Sequence, residues 1–175
     1  MKDAGTPGNA RRAAARTSDF PLATSVGAAV RFTHLAFAED LQARLAAHRV
    51  STGMWFLLRS LWEEDGITQR ELSRRVGVTE PTTVQQLRNM VNMGIVVRKP
   101  SATDKRKMHV HLTASGRALE RELLPYAREV NLAALEGIPA GEIERMQRTL
   151  ERMRANLARR RAQRQATDSA GGGRG

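Results

Sequence analysis

Apolar residues recur at helical spacing along most of this chain and switch to strict alternation in one short stretch. Val30, His34, Phe37, Leu41, Leu45 and His48 are spaced 4, 3, 4, 4, 3, which puts them on one face of a long first helix and predicts that this face is buried. Ser51 or Thr52 can cap a second helix with Met54, Trp55, Leu58, Leu61 and Trp62 inward, and Asp65-Gly66 ends it. After a short tie at Ile67, Thr68-Gln69-Arg70-Glu71 has the form of a capping box, in which the Thr hydroxyl and the Glu carboxylate each satisfy a backbone donor. The third helix that follows is anchored by Leu72 and Val76, Gly77 supplies a left-handed turn residue, and Thr79 caps a fourth helix with Pro81 in its first turn. Gly94 stops that helix, and Ile95, Val96 and Val97 read as a strand. Met108 to Leu112 alternates as its partner, with Met108, Val110 and Leu112 on one side and His109 and His111 on the other. A polar loop, Arg98 to Lys107, joins the strands. Thr113 caps a fifth helix with the stripe Leu119, Leu123, Tyr126, Val130, and Pro139 opens a sixth whose Ile143, Met146, Leu150, Met153 and Leu157 keep a heptad spacing.

The predicted fold is therefore mainly α with a small β-hairpin. With 175 residues the chain suits one compact domain, or a small domain with appended helices, and aromatic residues make up only 4% of it. Cysteine is absent, which excludes disulfides, thiolate metal sites and cysteine redox chemistry and fits a cytoplasmic location. The longest charge-free stretch near the start, Phe20 to Val30, is too short to span a bilayer. Arg11-Arg12 does not open an export signal, because Ser18, Asp19 and Pro21 break the apolar run such a signal needs. Residues 1–19 read as a disordered basic arm and residues 163–175, rich in Ser, Gly and Arg, as a disordered tail.

Charge narrows the partner. The net charge is +11, and residues 67 to 113 hold nine basic groups against three acidic ones. A polyanion is the natural partner of such a segment, since neutralised phosphates release counterions. The same segment carries helix, Gly turn, helix and then a basic hairpin, the order of a winged helix-turn-helix. A helix fits the major groove, where each base pair shows its own donor and acceptor pattern, and a basic loop reaches phosphates or the minor groove. On the fourth helix Val84, Leu87 and Val91 or Met90 can face the core. Thr82, Gln85, Gln86, Arg88 and Asn89 then offer hydroxyl, amide and guanidinium groups to bases.

Residues 67 to 116 resemble the MarR family of bacterial regulators. The likeness rests on Thr68 to Val78, on Met90-Val91-Asn92-Met93-Gly94-Ile95-Val96, on Asp104-Lys105-Arg106, and on Leu112-Thr113-Ala114-Ser115-Gly116. It implies that Arg106 pairs with Asp104 to stiffen the wing and that Lys105 or Arg106 enters the minor groove. Together with the helical pattern it gives Thr79, Thr82, Val84, Gln85, Gln86, Arg88, Asn89, Arg98, Lys105, Arg106 and Lys107 as candidate contacts to double-stranded DNA. Where the family often has Thr or Ser and then Arg, this chain has Val84 and Gln85, so a thymine methyl replaces one hydrogen-bonding partner.

The heptad seam predicts a homodimer built by residues 20–50 and 114–162 around a DNA-binding part at 51–113. Such a dimer sets two reading helices about 34 Å apart and calls for a pseudo-palindromic operator. The resemblance also implies a repressor that a small aromatic carboxylate or phenol releases from DNA. Arg31, His34, Phe37, His48, Trp55 and Arg59 are the candidate ligand contacts, although each singly is more ordinarily a core or solvated residue. An enzyme is disfavoured: there is no phosphate-binding Gly loop, no metal-ligand spacing, no nucleophile with a base, and no implied cofactor. A DNA-binding or nucleoid-type protein without an effector is the alternative.

Overall fold

The computed structural model describes residues 22–101, 104 and 107–171. The expected basic arm, Lys105 and Arg106 of the wing, and the last residues of the expected tail lie outside the described residues. Six helices and one hairpin follow in order: α1 (Val26–Leu45), α2 (Thr52–Glu63), α3 (Gln69–Val76), α4 (Glu80–Asn92), β1 (Val96–Pro100), β2 (Met108–Leu112), α5 (Ala114–Ala134) and α6 (Ala140–Gly171). The chain divides between Ala127 and Arg128 into two compact units.

In the first unit the helix starts are where small polar residues put them. Ser25, Ser51, Thr68 and Thr79 each accept a backbone N–H of the first turn through the side chain. Gly77 ends α3 at φ 73°, a conformation that costs a non-glycine residue about 1 kcal/mol or more. The capping box is half formed. Thr68 Oγ1 accepts from Glu71 N at 3.1 Å, but the Glu71 carboxylate turns to Arg74 and Arg75 at 2.6 to 2.9 Å, because two guanidiniums outcompete a single neutral N–H. Hydrogen bonds from Arg74, then from Arg75, hold the Glu71 carboxyl down at about 2.

The core gathers Leu45, Leu57, Leu58, Leu61, Leu72, Leu87, Met90, Val96, Val110 and Leu123, all essentially without solvent exposure. The first-helix stripe is buried only at its end: Leu41 and Leu45 are covered, while Val30 is 43% exposed and His34 lies open. The end of that helix packs against α2, and near its start Ala28 alone is buried among the described residues. β1 and β2 pair antiparallel with Val96 opposite Leu112 and Arg98 opposite Val110. Residues Gly66 to Thr68 add to the other edge of β2, through Gly66 N to Val110 O and Val110 N to Ile67 O. Because Arg98, Lys99 and Pro100 belong to β1, the wing loop is shorter than its polarity predicts and begins at Ser101.

In the second unit α6 runs on to Gly171, whereas composition predicts loss of order from residue 163. Ala, Arg and Gln fill residues 158–166, and these are good helix formers. Ile143, Leu150 and Met153 are half-covered, and Met146 and Leu157 are 47% and 65% exposed.

Candidate nucleic-acid interface

The turn between α3 and α4 is locked by side chains. The Ser73 hydroxyl donates to Thr83 Oγ1 at 2.7 Å in a buried contact, and Thr83 Oγ1 donates in turn to the Thr79 carbonyl at 3.1 Å. Thr83, Leu87 and Met90 therefore form the inner face of α4 at spacing 4, 3, and none is exposed. Val84 is half-buried and Val91 is exposed, so the inner face is set one residue earlier than apolar character alone predicts.

That phase decides which candidates reach outward. Thr79, Thr82, Gln85, Arg88 and Asn89 are exposed, and the Thr79 and Thr82 hydroxyls lie 2.9 Å apart. Gln86 is turned the other way. Its Oε1 accepts from the Ser51 hydroxyl at 3.2 Å and its amide packs over Gly53, which ties the reading helix to the start of α2. Glu80 puts a carboxylate in the first turn of α4, and Arg70 faces it at 3.8 Å.

The wing is shaped by its register. Arg98 shares the packed face of the hairpin with Val110, and its Nε is buried with no hydrogen-bond partner. It is thus a poor candidate for the groove. Lys99 is exposed and opposite His109 on the outer face; the sequence alone does not single it out, because the inward phase of β1 becomes legible only through its pairing with β2. The loop closes through Ser101 N to Lys107 O and Lys107 N to Asp104 O, both 2.8 Å, and Lys107 Nζ stands 3.7 Å from Asp104 Oδ2. The expected Asp104–Arg106 pair falls outside the described residues.

The base of the wing is fixed by Asp65 and Gly116. Asp65 Oδ1 accepts from Gly66 N and Leu112 N, and Oδ2 accepts from Arg117 at 2.6 Å. Burial pushes the Asp65 carboxyl up, but the Leu112 N–H, Arg117 and the Gly66 N–H together outweigh it and leave the carboxyl below its ordinary value. Gly116 passes so close to β1 that an added Cβ would lie 2.1 Å from the Ile95 carbonyl oxygen. The Trp62 indole donates to the Gly116 carbonyl at 2.9 Å.

The six candidate ligand contacts do not converge. Trp55 is buried edge-on against Trp62, with Arg59 over its ring at 5.7 Å. His48 sits 3.3 Å from Glu122 and against Tyr126. Arg31 is exposed and Phe37 half-buried. His34 faces Phe56 and lines a cavity of about 270 Å³ with Gly53, Leu57, Val76, Val78, Thr82 and Gln86. Among the described residues no group of three metal-ligating side chains occurs, and no helix is long and apolar enough to cross a membrane.

Comparison with known proteins agrees with this geometry. The MarR family model matches residues 50–108. The chain is 29% identical over 135 residues to the HTH-type transcriptional regulator PetP of Rhodobacter capsulatus, covering 77% of this chain and 81% of PetP. It is 27% identical to the HTH-type transcriptional repressor Rv2887 of Mycobacterium tuberculosis, covering 65% of this chain and 82% of that one. The crystal structure of the transcriptional regulator PA3341 superposes with a TM-score of 0.70 at 32% identity, covering 77% of this chain and 99% of PA3341.

Proposed function

The chain belongs to the MarR family of winged helix-turn-helix transcriptional regulators, and on that premise we propose that it is a cytoplasmic homodimeric repressor of a pseudo-palindromic operator. The observation that carries this reading is the outward row of Gln85, Arg88 and Asn89 on a helix whose opposite face is locked by Thr83, Leu87 and Met90. Gln and Asn present paired donors and acceptors to adenine, and Arg to guanine. Thr79, Thr82 and Val84 flank them. Lys105, Arg106 and Lys107 of the wing neutralise phosphate or enter the minor groove, with Lys99 beside them. Gln86 positions α4 rather than touching a base.

Dimerisation by residues 20–50 and 114–162 is supported by the apolar surface left open at the start of α1, where Leu22, Val26, Val30, Phe32 and Leu35 are all 43% exposed or more. Repression is supported by the name of Rv2887. Release by a small ligand is supported by the cavity at His34, which touches both α1 and the reading helix. Its walls are mainly apolar, with His34, Thr82 and Gln86 as the polar members, and neither Arg31 nor Arg59 lines it, so a phenolic or neutral aromatic compound suits it better than a carboxylate.

Footprinting on the DNA upstream of the protein's own gene tests this reading. Two protected half-sites one helical turn apart are expected. Gln85→Ala is expected to relax discrimination at one base position by about 1–3 kcal/mol while leaving non-specific affinity nearly unchanged. Uniform protection of any DNA overturns the specific reading, and an aromatic-compound screen that leaves operator affinity unmoved overturns the ligand.

A further inference from the structure

The two halves of α6 differ in charge. From Glu142 to Glu151 the carboxylates of Glu142, Glu144 and Glu151 are mixed with Arg145 and Arg148, and Arg148 pairs with Glu144 at 3.5 Å. From Arg152 to Thr167 there is no carboxylate, while Arg152, Arg154, Arg159, Arg160, Arg161 and Arg164 are all exposed. None of these six makes an ion pair with a carboxylate among the described residues; Arg159 donates to Asn156 instead. The backbone is helical throughout, so the charges are held on a rod rather than on a loose tail.

The heptad stripe marks where a protein seam can end. Ile143, Met146, Leu150, Met153 and Leu157 repeat 3, 4, 3, 4, and the next two positions in the repeat are Arg160 and Arg164. The apolar stripe stops at Leu157, and in a parallel pair of copies the next two stripe positions would set guanidinium against guanidinium. The stretch beyond carries a dense positive charge with no carboxylate paired to it among the described residues.

We propose that the arginine-rich half of α6, residues 152–164, is a second DNA-binding surface that grips duplex phosphates outside the operator without reading sequence. Arginine suits this role: its planar fork bonds phosphate oxygens in pairs and it remains charged at any working pH. A duplex is the partner on the reading proposed above, in which the same chain engages one through α4, and this inference rests on that reading. Carried on the same chain as the α4 contacts, the basic rod adds salt-dependent affinity and slows escape from neighbouring DNA.

The test is a salt titration of the full-length protein on a random-sequence duplex several helical turns long, with single-stranded RNA and phosphatidylserine vesicles titrated in parallel and base preference read by selection from a randomised duplex pool, none of which requires a known operator or effector. The variant replaces Arg159, Arg160, Arg161 and Arg164 with Gln, keeping helix propensity, and a second replaces the same four with Lys. The Gln variant is expected to flatten the dependence of log affinity on log salt by about 1 to 4 units per chain, at about 0.9 for each phosphate that is no longer neutralised. The Lys variant is expected to retain most of the slope, and both are expected to keep wild-type helicity and base preference. An unchanged slope in the Gln variant overturns the proposal. So does a loss confined to single-stranded RNA or to phosphatidylserine vesicles, or a loss of base preference at unchanged slope, which would make the arginines supports of the fold.

Discussion

Gly116 shows how one missing side chain can hold two elements in register. The Ile95 carbonyl accepts from Thr113 N at 3.1 Å, Thr113 Oγ1 donates to the Gly94 carbonyl and accepts from Gly116 N, and Trp62 closes the ring on the Gly116 carbonyl. A methyl at Gly116 would meet a backbone oxygen that has no freedom to move. Gly116→Ala is therefore expected to destabilise the protein by about 1–3 kcal/mol or more, read as a drop in urea midpoint, despite its better helix propensity. Asp65 acts at the same junction through charge. Its carboxyl is lowered in the folded state, so its contribution is fully present above the ordinary carboxylate value of about 4 and is lost as pH falls through the lowered value. Asp65→Asn is expected to reduce stability at neutral pH and to show a shallower loss on acidification from about pH 5 downward. Parallel urea melts at several pH values check this, and identical pH slopes for the two proteins would show that Asp65 contributes nothing through its charge.

Elements are positioned by a small number of specific side chains. The α3–α4 turn depends on the Ser73–Thr83 hydrogen bond, so Thr83→Val, which leaves a buried hydroxyl unpaired, is expected to cost about 1–3 kcal/mol. Adding Ser73→Ala is expected to recover part of that cost, and a double-mutant cycle measures the coupling. In the wing, Lys107→Ala is expected to weaken binding to all sequences alike and to lower the salt slope by about one unit. These elements are legible in the sequence where their causes are local: Thr68 and Thr79 as caps and Gly77 as the turn all act within four residues of themselves. Features set by distant partners are not. Thr83 faces inward because Ser73 receives it, which the apolar pattern of Val84, Leu87 and Val91 does not reveal. Arg98 faces inward because its register partner is Val110.

At the scale of the whole molecule, the open apolar residues demand a partner. One helix exposes Val26, Val30, Phe32 and Leu35, and another, in the second unit, exposes Met146 and Leu157, apolar side chains of the kind that mark interaction surfaces. In the proposed homodimer a second copy would cover such residues and tie folding to concentration: the melting temperature of the wild type is then expected to rise with protein concentration. Met146→Glu with Leu150→Glu puts two charges into the α6 stripe and is expected to shift the protein to monomer in sedimentation equilibrium. The first unit, with its own core around Leu58, Leu72 and Leu87, should keep its secondary structure. Affinity for an operator of two half-sites then falls by about 10²–10⁴-fold, because the second reading helix no longer binds as a tethered partner of the first. Affinity for random DNA falls much less, since it depends on charges each chain carries alone. Equal losses on both DNAs would show that one chain reads the operator unaided.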